Sequence, residues 1–425
     1  MSAPSPLPTM LREIAGVSVA EIARDFGTPT YVYDAAKIVE RLGDLRAFDV
    51  VRYAQKACSS LAIVDLVRQG GALVDAVSAG EIRRAMAAGY GPGGDPPRIV
   101  YTADIFDHEA LDLVVEHGIH VNCGSADMID QLGSRTAGGE ITLRVNPGFG
   151  HGLSQKTNTG GEHSKHGIWH EELGDCAERA KRQNLTITGL HMHIGSGTDF
   201  EHLSQVAGAM EKVASTIGPS IRSISAGGGL PTPYKAGESL IDLEAYFQIW
   251  DATRDRLAEQ FGHAVSLEIE PGRYLTAESG YLVTEIRAIK RSGANEFYLV
   301  DAGFNNLARP ILYGAYHPMA IVPSDGSATE RPTRSVVVGG PLCESGDIFT
   351  QEAGGLVATR ELPVAEVGEL LVIGCAGAYG FVMSSNYNSK PFAAEVLVTA
   401  GRAEQIRSRQ TFDDLVRGET IPGGQ

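Results

Sequence analysis

Between residues 50 and 270, short apolar runs alternate with stretches of helical periodicity. Strand-length runs fall at 50–56, 72–77, 98–102, 119–123, 140–146, 187–194, 221–226 and 265–270. Amphipathic stretches lie between most of them, at 80–89, 107–117, 171–183, 203–217 and 243–261. Eight strands with helices between them predict a closed (β/α)8 barrel. An open doubly wound sheet produces a similar pattern over part of the run, but eight repeats favour closure.

After about residue 282 the pattern changes. Pieces at 283–289, 296–301, 335–339, 370–374 and 393–399 are separated by Gly, Pro and Asn turns, which predicts a mostly β domain, a Greek-key barrel or sandwich. An early strand within 29–34 (PTYVYD) is expected to pair with it, so that both chain ends build one domain. The expected division is 1–45 as an N-terminal contribution to the β domain, 46–282 as the barrel, and 283–425 as the C-terminal β domain. The long polar, glycine-rich loop 147–167 is a candidate ligand-facing segment.

The last barrel strand carries the sharpest chemistry. In VSLEIE (265–270), Val265, Leu267 and Ile269 alternate with Ser266, Glu268 and Glu270, and Pro271-Gly272 then stops the strand and presents Arg273. Glu270 therefore sits on rigid backbone at the strand end, where a carboxylate meets something positive or protonated. The net charge of −16 argues against nucleic acid or an anionic membrane as partner. No apolar run is long enough to span a bilayer, and the N-terminus lacks a basic region followed by an apolar run. Five cysteines with no CxxC spacing fit a reducing cytoplasm.

Strand ends of such a barrel meet around one site. The polar residues there are Lys56, Asp75 with Ser78, His191 with His193, Gly227-Gly228-Gly229, and Glu270 with Arg273. Three glycines permit a tight turn that directs backbone N–H groups at an anion, and Ser196 in HIGSG adds a hydroxyl. The HxH pair invites zinc, yet no third ligand has convincing spacing, so no metal is expected. Lysine, triple glycine, inward histidine and strand-end carboxylate together describe a pyridoxal 5'-phosphate site. Lys56 holds the aldehyde, the glycines the phosphate, His193 covers a ring face, and Glu270 meets the pyridine nitrogen. In the β region, Cys343, Glu344 and Asp347 in GGPLCESGD supply a soft acid and two carboxylates. Tyr379 lies between glycines, and Arg309 and Tyr313 share RPILY. These groups suit an amino-acid substrate with carboxylate and ammonium ends.

The chain resembles the diaminopimelate decarboxylases, within the barrel-type (fold type III) pyridoxal phosphate decarboxylases. The resemblance rests on YAQKA (53–57), DAVSAGE (75–81), HMHIGSG (191–197), SAGGGL (225–230), EPGRY (270–274), RPILYG (309–314), GPLCESGD (340–347), GAYG (377–380) and SSNYNS (384–389). It implies that Lys56 and Cys343 are catalytic, the lysine holding the cofactor and the cysteine protonating the carbanion after carbon dioxide leaves. It implies a cofactor site of Lys56, Asp75, His193, Ser196, Gly228, Gly229, Glu270 and Tyr379, and a substrate site of Arg273, Arg309, Tyr313, Glu344 and Tyr379. It also implies a homodimer whose CESGD segments enter the partner's site, and the conversion of meso-2,6-diaminopimelate to L-lysine. Cys375-Ala376, where relatives often show Asp-Thr, departs from the pattern but leaves Tyr379 intact.

Three other readings share parts of this set. A sibling decarboxylase of ornithine, arginine or carboxynorspermidine shares most of the cofactor site. A racemase of this fold generally places arginine near the ring nitrogen, where this chain has Glu270. A non-catalytic regulator on the same scaffold should have lost Lys56 or Cys343, and both are present.

Overall fold

The computed structural model describes residues 7–150, 160–193, 200–323 and 331–423. It divides into two compact units. One comprises Val39–Thr232 and Leu240–Leu275; the other comprises the chain up to Ile38, Pro233–Ser239, and the chain from Thr276 onward.

The first unit is an eight-stranded parallel barrel. Its strands are β1 (Val50–Ala54), β2 (Leu73–Ala76), β3 (Ile99–Ala103), β4 (His120–Cys123), β5 (Gly139–Asn146), β6 (Leu185–His191), β7 (Ser223–Ser225) and β8 (Ser266–Ile269). Each pairs in parallel with the next. Pairing of Glu268 with Val50 and Ile269 with Val51 brings β8 back to β1 and closes the ring. The alternation read in 265–270 persists, with Leu267 and Ile269 fully buried on the face opposite Glu268 and Glu270. The helices pack through stripes spaced three or four apart, such as Ile63, Val64 and Val67, or Val206, Met210 and Val213. Each such side chain contributes about 1.5–3 kcal/mol on burial. The first run ends as a strand at Ala54, two residues earlier than expected, and Lys56 rides a 3-10 turn, Gln55–Ala57.

The barrel interior is unusually polar. Arg52, Asp75, Thr102, Asn122, Arg144, His191, Ser225 and Glu270 are all buried. Buried polar groups need partners, and these form two connected sets. Arg52 pairs with Glu268 across the closing seam, Nε to Oε2 at 2.7 Å. The other set surrounds the strand ends and is described below.

The second unit is mostly β. Its sheet runs in the order Arg360–Pro363, Thr333–Gly339, Asn295–Val300, Gly280–Ser292, Thr30–Asp34, Ala394–Thr399 and Arg402–Arg407. Met319–Val322 pairs with Leu370–Ile373, which pairs in turn with Gly280–Ser292. The early strand is indeed central, antiparallel to Gly280–Ser292 and parallel to Ala394–Thr399. Its Val32 enters a core with Ile14, Val19, Ile22, Val283, Val322, Val372 and Val398. Three strands of this sheet escape the sequence pattern. Met319–Val322 is a four-residue run enclosed by Pro318 and Pro323, while Arg360–Pro363 and Arg402–Arg407 are polar edge strands with little alternation. No described helix is long and apolar enough to cross a membrane.

Candidate active site

Glu270 follows β8 and is buried, so burial alone raises its proton affinity. Two groups reverse this. His191 Nε2 lies 2.8 Å from its Oε2, and the Ser225 hydroxyl donates to its Oε1 at 2.9 Å. Together they hold the carboxyl well below its ordinary range, so Glu270 stands ionised. Asp75, at the inner face of β2, is pushed the other way, first by burial and then by the charge of Glu270. Its Oδ1 is buried with no hydrogen-bond partner among the described residues. Two buried carboxylates with opposed proton affinities mark a site that handles protons. Arg144, buried on β5, has Asp104, Glu270 and Asp75 within electrostatic reach, which offsets the cost of burying its charge.

Lys56 is exposed in the middle of the 3-10 turn. Its ammonium is near enough to lower the proton affinity of Asp75 and Glu81 and to disfavour charging His193. Gln55 beside it is buried and donates to the backbone carbonyl of Glu81 at 3.1 Å, tying the turn to the next helix. That helix, Ala79–Ala87, is capped by Ser78, whose hydroxyl accepts from the Glu81 N–H. Ser78 is thus structural. Glu81 accepts from the Val77 N–H at 2.8 Å, and burial pushes its carboxyl up to about 7.

The triple glycine differs from the arrangement expected. The Gly227 N–H donates to Ser225 Oγ at 3.1 Å, and the Gly228 N–H donates to His193 Nδ1 at 2.7 Å. Two of the three N–H groups are therefore turned inward and do not face an anion. They set the side chains that do the work. Because His193 Nδ1 accepts, its proton sits on Nε2, and burial keeps the ring neutral. The His191 and His193 rings lie nearly parallel, 5° apart, with centroids separated by 6.4 Å. Glycine is required at 228 because a Cβ would collide with the Glu270 carbonyl oxygen. Ser196 and residues 151–159 of the candidate loop lie outside the described residues.

Arg273 opens the short helix Arg273–Thr276 directly after Gly272 and is half-buried. Of the described candidates, Lys56, Asp75, His193, Gly228, Gly229, Glu270 and Arg273 belong to the barrel unit, whereas Arg309, Tyr313, Cys343, Glu344 and Tyr379 belong to the β unit. In the β unit, Cys343 and Glu344 are exposed on one loop. The Cys343 N–H donates to Asn388 Oδ1 at 2.7 Å. Asp347 is not presented outward as the sequence suggested. It is buried and folds the loop, accepting from the Leu342 N–H at 2.8 Å and the Phe304 N–H at 2.7 Å. Tyr379 and Cys375 both hold left-handed φ, at 56° and 51°, a strained backbone of the kind found at functional turns. Arg309 is buried at the start of the helix Arg309–Tyr313, and Tyr313 is exposed at its end.

Residues 36–277 match the family model described as the pyridoxal-binding domain of pyridoxal-dependent decarboxylases. Over 410 residues the chain is 51% identical to the diaminopimelate decarboxylase of Escherichia coli K12, covering 96% of this chain and 98% of that one. The Streptomyces coelicolor A3(2) diaminopimelate decarboxylase is 51% identical over 424 residues, covering 99% and 96%. A crystal structure of diaminopimelate decarboxylase superposes with a TM-score of 0.91 at 52% identity, covering 93% of this chain and 94% of that one. The Helicobacter pylori enzyme complexed with L-lysine superposes with a TM-score of 0.83 at 30% identity, covering 94% and 98%.

The chain belongs to the diaminopimelate decarboxylase family. The residues present fit the pyridoxal phosphate that this family's barrel domain binds. An amine stands at the end of β1, an ionised carboxylate is anchored at the end of β8, and the β7 turn comes so close to both neighbours that only glycine fits. Asp75 Oδ1 adds an orphaned buried acceptor beside Lys56. The sequence missed Arg144, Asn388 and the partner roles of His191 and Ser225. For Arg144 the available signal was an arginine on the apolar strand ITLRVN. For His191 it was the inward HxH alternation, whose first histidine here holds an acid. Among the described residues, no group of three or more His, Cys, Asp or Glu is arranged to hold a metal ion.

Proposed function

We propose that this chain decarboxylates meso-2,6-diaminopimelate at its D centre, releasing carbon dioxide and leaving L-lysine, the last step of lysine biosynthesis by the diaminopimelate route. The observation that carries the reading is Glu270, a buried carboxylate kept ionised by His191 and Ser225, with the Lys56 amine within electrostatic reach of the same pocket. When bound, pyridoxal phosphate supplies a protonated aromatic ring that accepts the electron pair released as the carboxylate leaves.

Lys56 would supply the amine that holds the cofactor's aldehyde. Glu270, ionised and anchored, would hold a proton at the cofactor's ring nitrogen. His193, held in one tautomer by the Gly228 N–H, would cover a face of the cofactor ring. Gly229 and Tyr379 serve the phosphate. Arg273, Arg309, Tyr313 and Glu344 would hold the distal amino-acid end and so orient the scissile carbon–carboxylate bond. Cys343 delivers its Sγ proton to the carbon that lost the carboxylate. The enzyme acts as a two-fold dimer in which the Cys343–Glu344 loop completes the partner's site. It works in the cytoplasm, and its five free thiols suit that compartment.

The test is product analysis after incubation of purified protein with pyridoxal phosphate and meso-diaminopimelate. L-lysine and carbon dioxide are expected, with both lost, together with the visible absorbance of the bound cofactor, in Lys56→Ala. Release of carbon dioxide from ornithine but not from meso-diaminopimelate would assign the chain to a sibling decarboxylase.

A further inference from the structure

Tyr379 holds its left-handed backbone, at φ 56°, between two wedged glycines. A Cβ at Gly377 would collide with the Thr276 carbonyl oxygen. One at Gly380 would collide with the Ala376 carbonyl oxygen and lie 3.0 Å from the Tyr31 hydroxyl. The next residue, Phe381, belongs to a closed circuit of five side chains. Its ring meets Tyr31 edge-to-face, with centroids 5.9 Å apart and planes at 84°. Tyr31 stacks with Tyr33 at 6.3 Å, and the Tyr33 hydroxyl donates to Glu395 Oε1 at 2.7 Å. Glu395 is fully buried, and its Oε2 accepts from Arg407 Nε. The Arg407 guanidinium lies over the Phe381 ring, 4.6 Å from the centroid, which closes the circuit. The Tyr31 hydroxyl also donates to the Asn306 carbonyl oxygen at 2.6 Å, and the Ser384 hydroxyl donates to the same oxygen at 3.0 Å. Tyr31 beside Gly380 and Ser384 beyond Phe381 thus rest on one support. All of these residues belong to the β unit.

A strained backbone persists only where its surroundings over-determine it. The buried Glu395 carboxylate contributes to that by an indirect route. It holds the Arg407 charge in place, the charge holds the Phe381 ring, and Phe381 leaves the chain two residues after Tyr379. Phe381 is gripped from two sides, by Arg407 and by Tyr31, and the far ends of both grips meet at Glu395 through Tyr33. We propose that Phe381, Arg407 and Glu395 are positioning residues that fix the Tyr379 turn and so aim its phenol at the cofactor's phosphate. This rests on the reading that Tyr379 serves the phosphate.

Pyridoxal, which lacks the phosphate, allows a dissecting test. The full-length chain is freed of cofactor, and equilibrium Kd values for pyridoxal phosphate and for pyridoxal are read from visible absorbance. Loss of a hydrogen bond to a charged group predicts that Tyr379→Phe raises Kd for pyridoxal phosphate by about tenfold or more, with pyridoxal changed by less than about threefold. Phe381→Leu should show the same selectivity, with a loss of about three- to tenfold. Combined with Tyr379→Phe it should add less than about twofold, since both act through one hydroxyl. Arg407→Gln alone would strand the buried Glu395, so it is paired with Glu395→Gln, which removes both charges and keeps polar partners for each side chain. This double variant should repeat the Phe381→Leu result. A Phe381→Leu loss equal for the two aldehydes, or a loss for neither while Tyr379→Phe remains selective, overturns the positioning role, as does a fully additive loss in the combination. A Tyr379→Phe loss that is absent, or equal for the two aldehydes, overturns the underlying reading of Tyr379 instead. Should Phe381→Leu fail to fold, the Arg407–Glu395 double variant decides by the same criterion.

Discussion

His191 Nε2 stands 2.8 Å from Glu270 Oε2, and an ionised carboxylate only accepts, so the proton of that bond is on the imidazole. The acid proposed to meet the cofactor nitrogen is thus tuned from behind by a histidine two residues before the one proposed to cover the ring. Removing that donor in His191→Phe leaves Ser225 as the remaining hydrogen-bond donor named at Glu270, and its proton affinity rises. The expected result is a kcat lower by about ten- to a hundredfold, with a shift in the pH titration of the bound cofactor's visible absorbance. Stability follows the same sign. A carboxyl held low in the folded state contributes stability that is present above its unfolded value, about 4.3, and is lost as pH falls through the lowered folded value. His191→Phe should therefore begin to unfold at higher pH in an acid titration than wild type does.

Gly228→Ala tests the closeness of the β7 turn. The added Cβ would collide with the Glu270 carbonyl oxygen and approach His193 Cε1 to 3.3 Å. Backbone does not yield as a flexible side chain does, so the turn must move off the β8 end and carry the His193 hydrogen bond with it. Such overpacking costs about 1–3 kcal/mol. Cofactor retention through dialysis, read by absorbance, should drop markedly, while the barrel remains folded by far-UV circular dichroism.

What was legible in the sequence was whatever local pattern dictates. VSLEIE announced its two faces, and Glu270 occupies the end of β8 as its alternation required. PTYVYD announced a strand, and its place between Gly280–Ser292 and Ala394–Thr399 completed the β sheet. Hydrogen-bond commitments were not legible, because they depend on residues distant in the chain. Gly228 reads as an anion-binding glycine until His193, thirty-five positions away, takes its N–H. Asp347 reads as a site carboxylate until Leu342 and Phe304 claim both oxygens. Pro233–Ser239 reads as a barrel loop because nothing in its composition tells that Tyr234 stacks on Arg309.

Asn388 couples the SSNYNS segment to the loop that carries the proposed proton donor. It sits at φ 55° and accepts the Cys343 N–H at 2.7 Å. Asn388→Gly keeps the left-handed backbone and deletes only the acceptor. The stability loss should be about 1 kcal/mol, read from the denaturation midpoint. Turnover should fall further, by about tenfold, because a thiol misplaced by an ångström delivers its proton poorly. Steady-state kcat alongside the midpoint separates the two, and equal proportional losses would reduce Asn388 to a structural turn residue.

The pair Arg52–Glu268 closes the barrel seam with Nε to Oε2 at 2.7 Å and Nη2 to Oε1 at 3.2 Å, while Arg52 Nη1 also donates to the Pro97 carbonyl at 2.6 Å. Both side chains are largely removed from water, at 3% and 12% exposure, so neither charge is well solvated without the other. Arg52→Met leaves Glu268 as a buried, uncompensated carboxylate, a loss of about 3–5 kcal/mol. The double variant Arg52→Met, Glu268→Met removes both charges and replaces them with apolar volume. Its stability should return to within about 1–2 kcal/mol of wild type, since the desolvation cost disappears together with the attraction. Denaturant midpoints of the two singles and the double, at fixed cofactor occupancy, measure the coupling. A double variant no more stable than Arg52→Met would mean that the bond to Pro97, and not the ion pair, holds β1 in the seam.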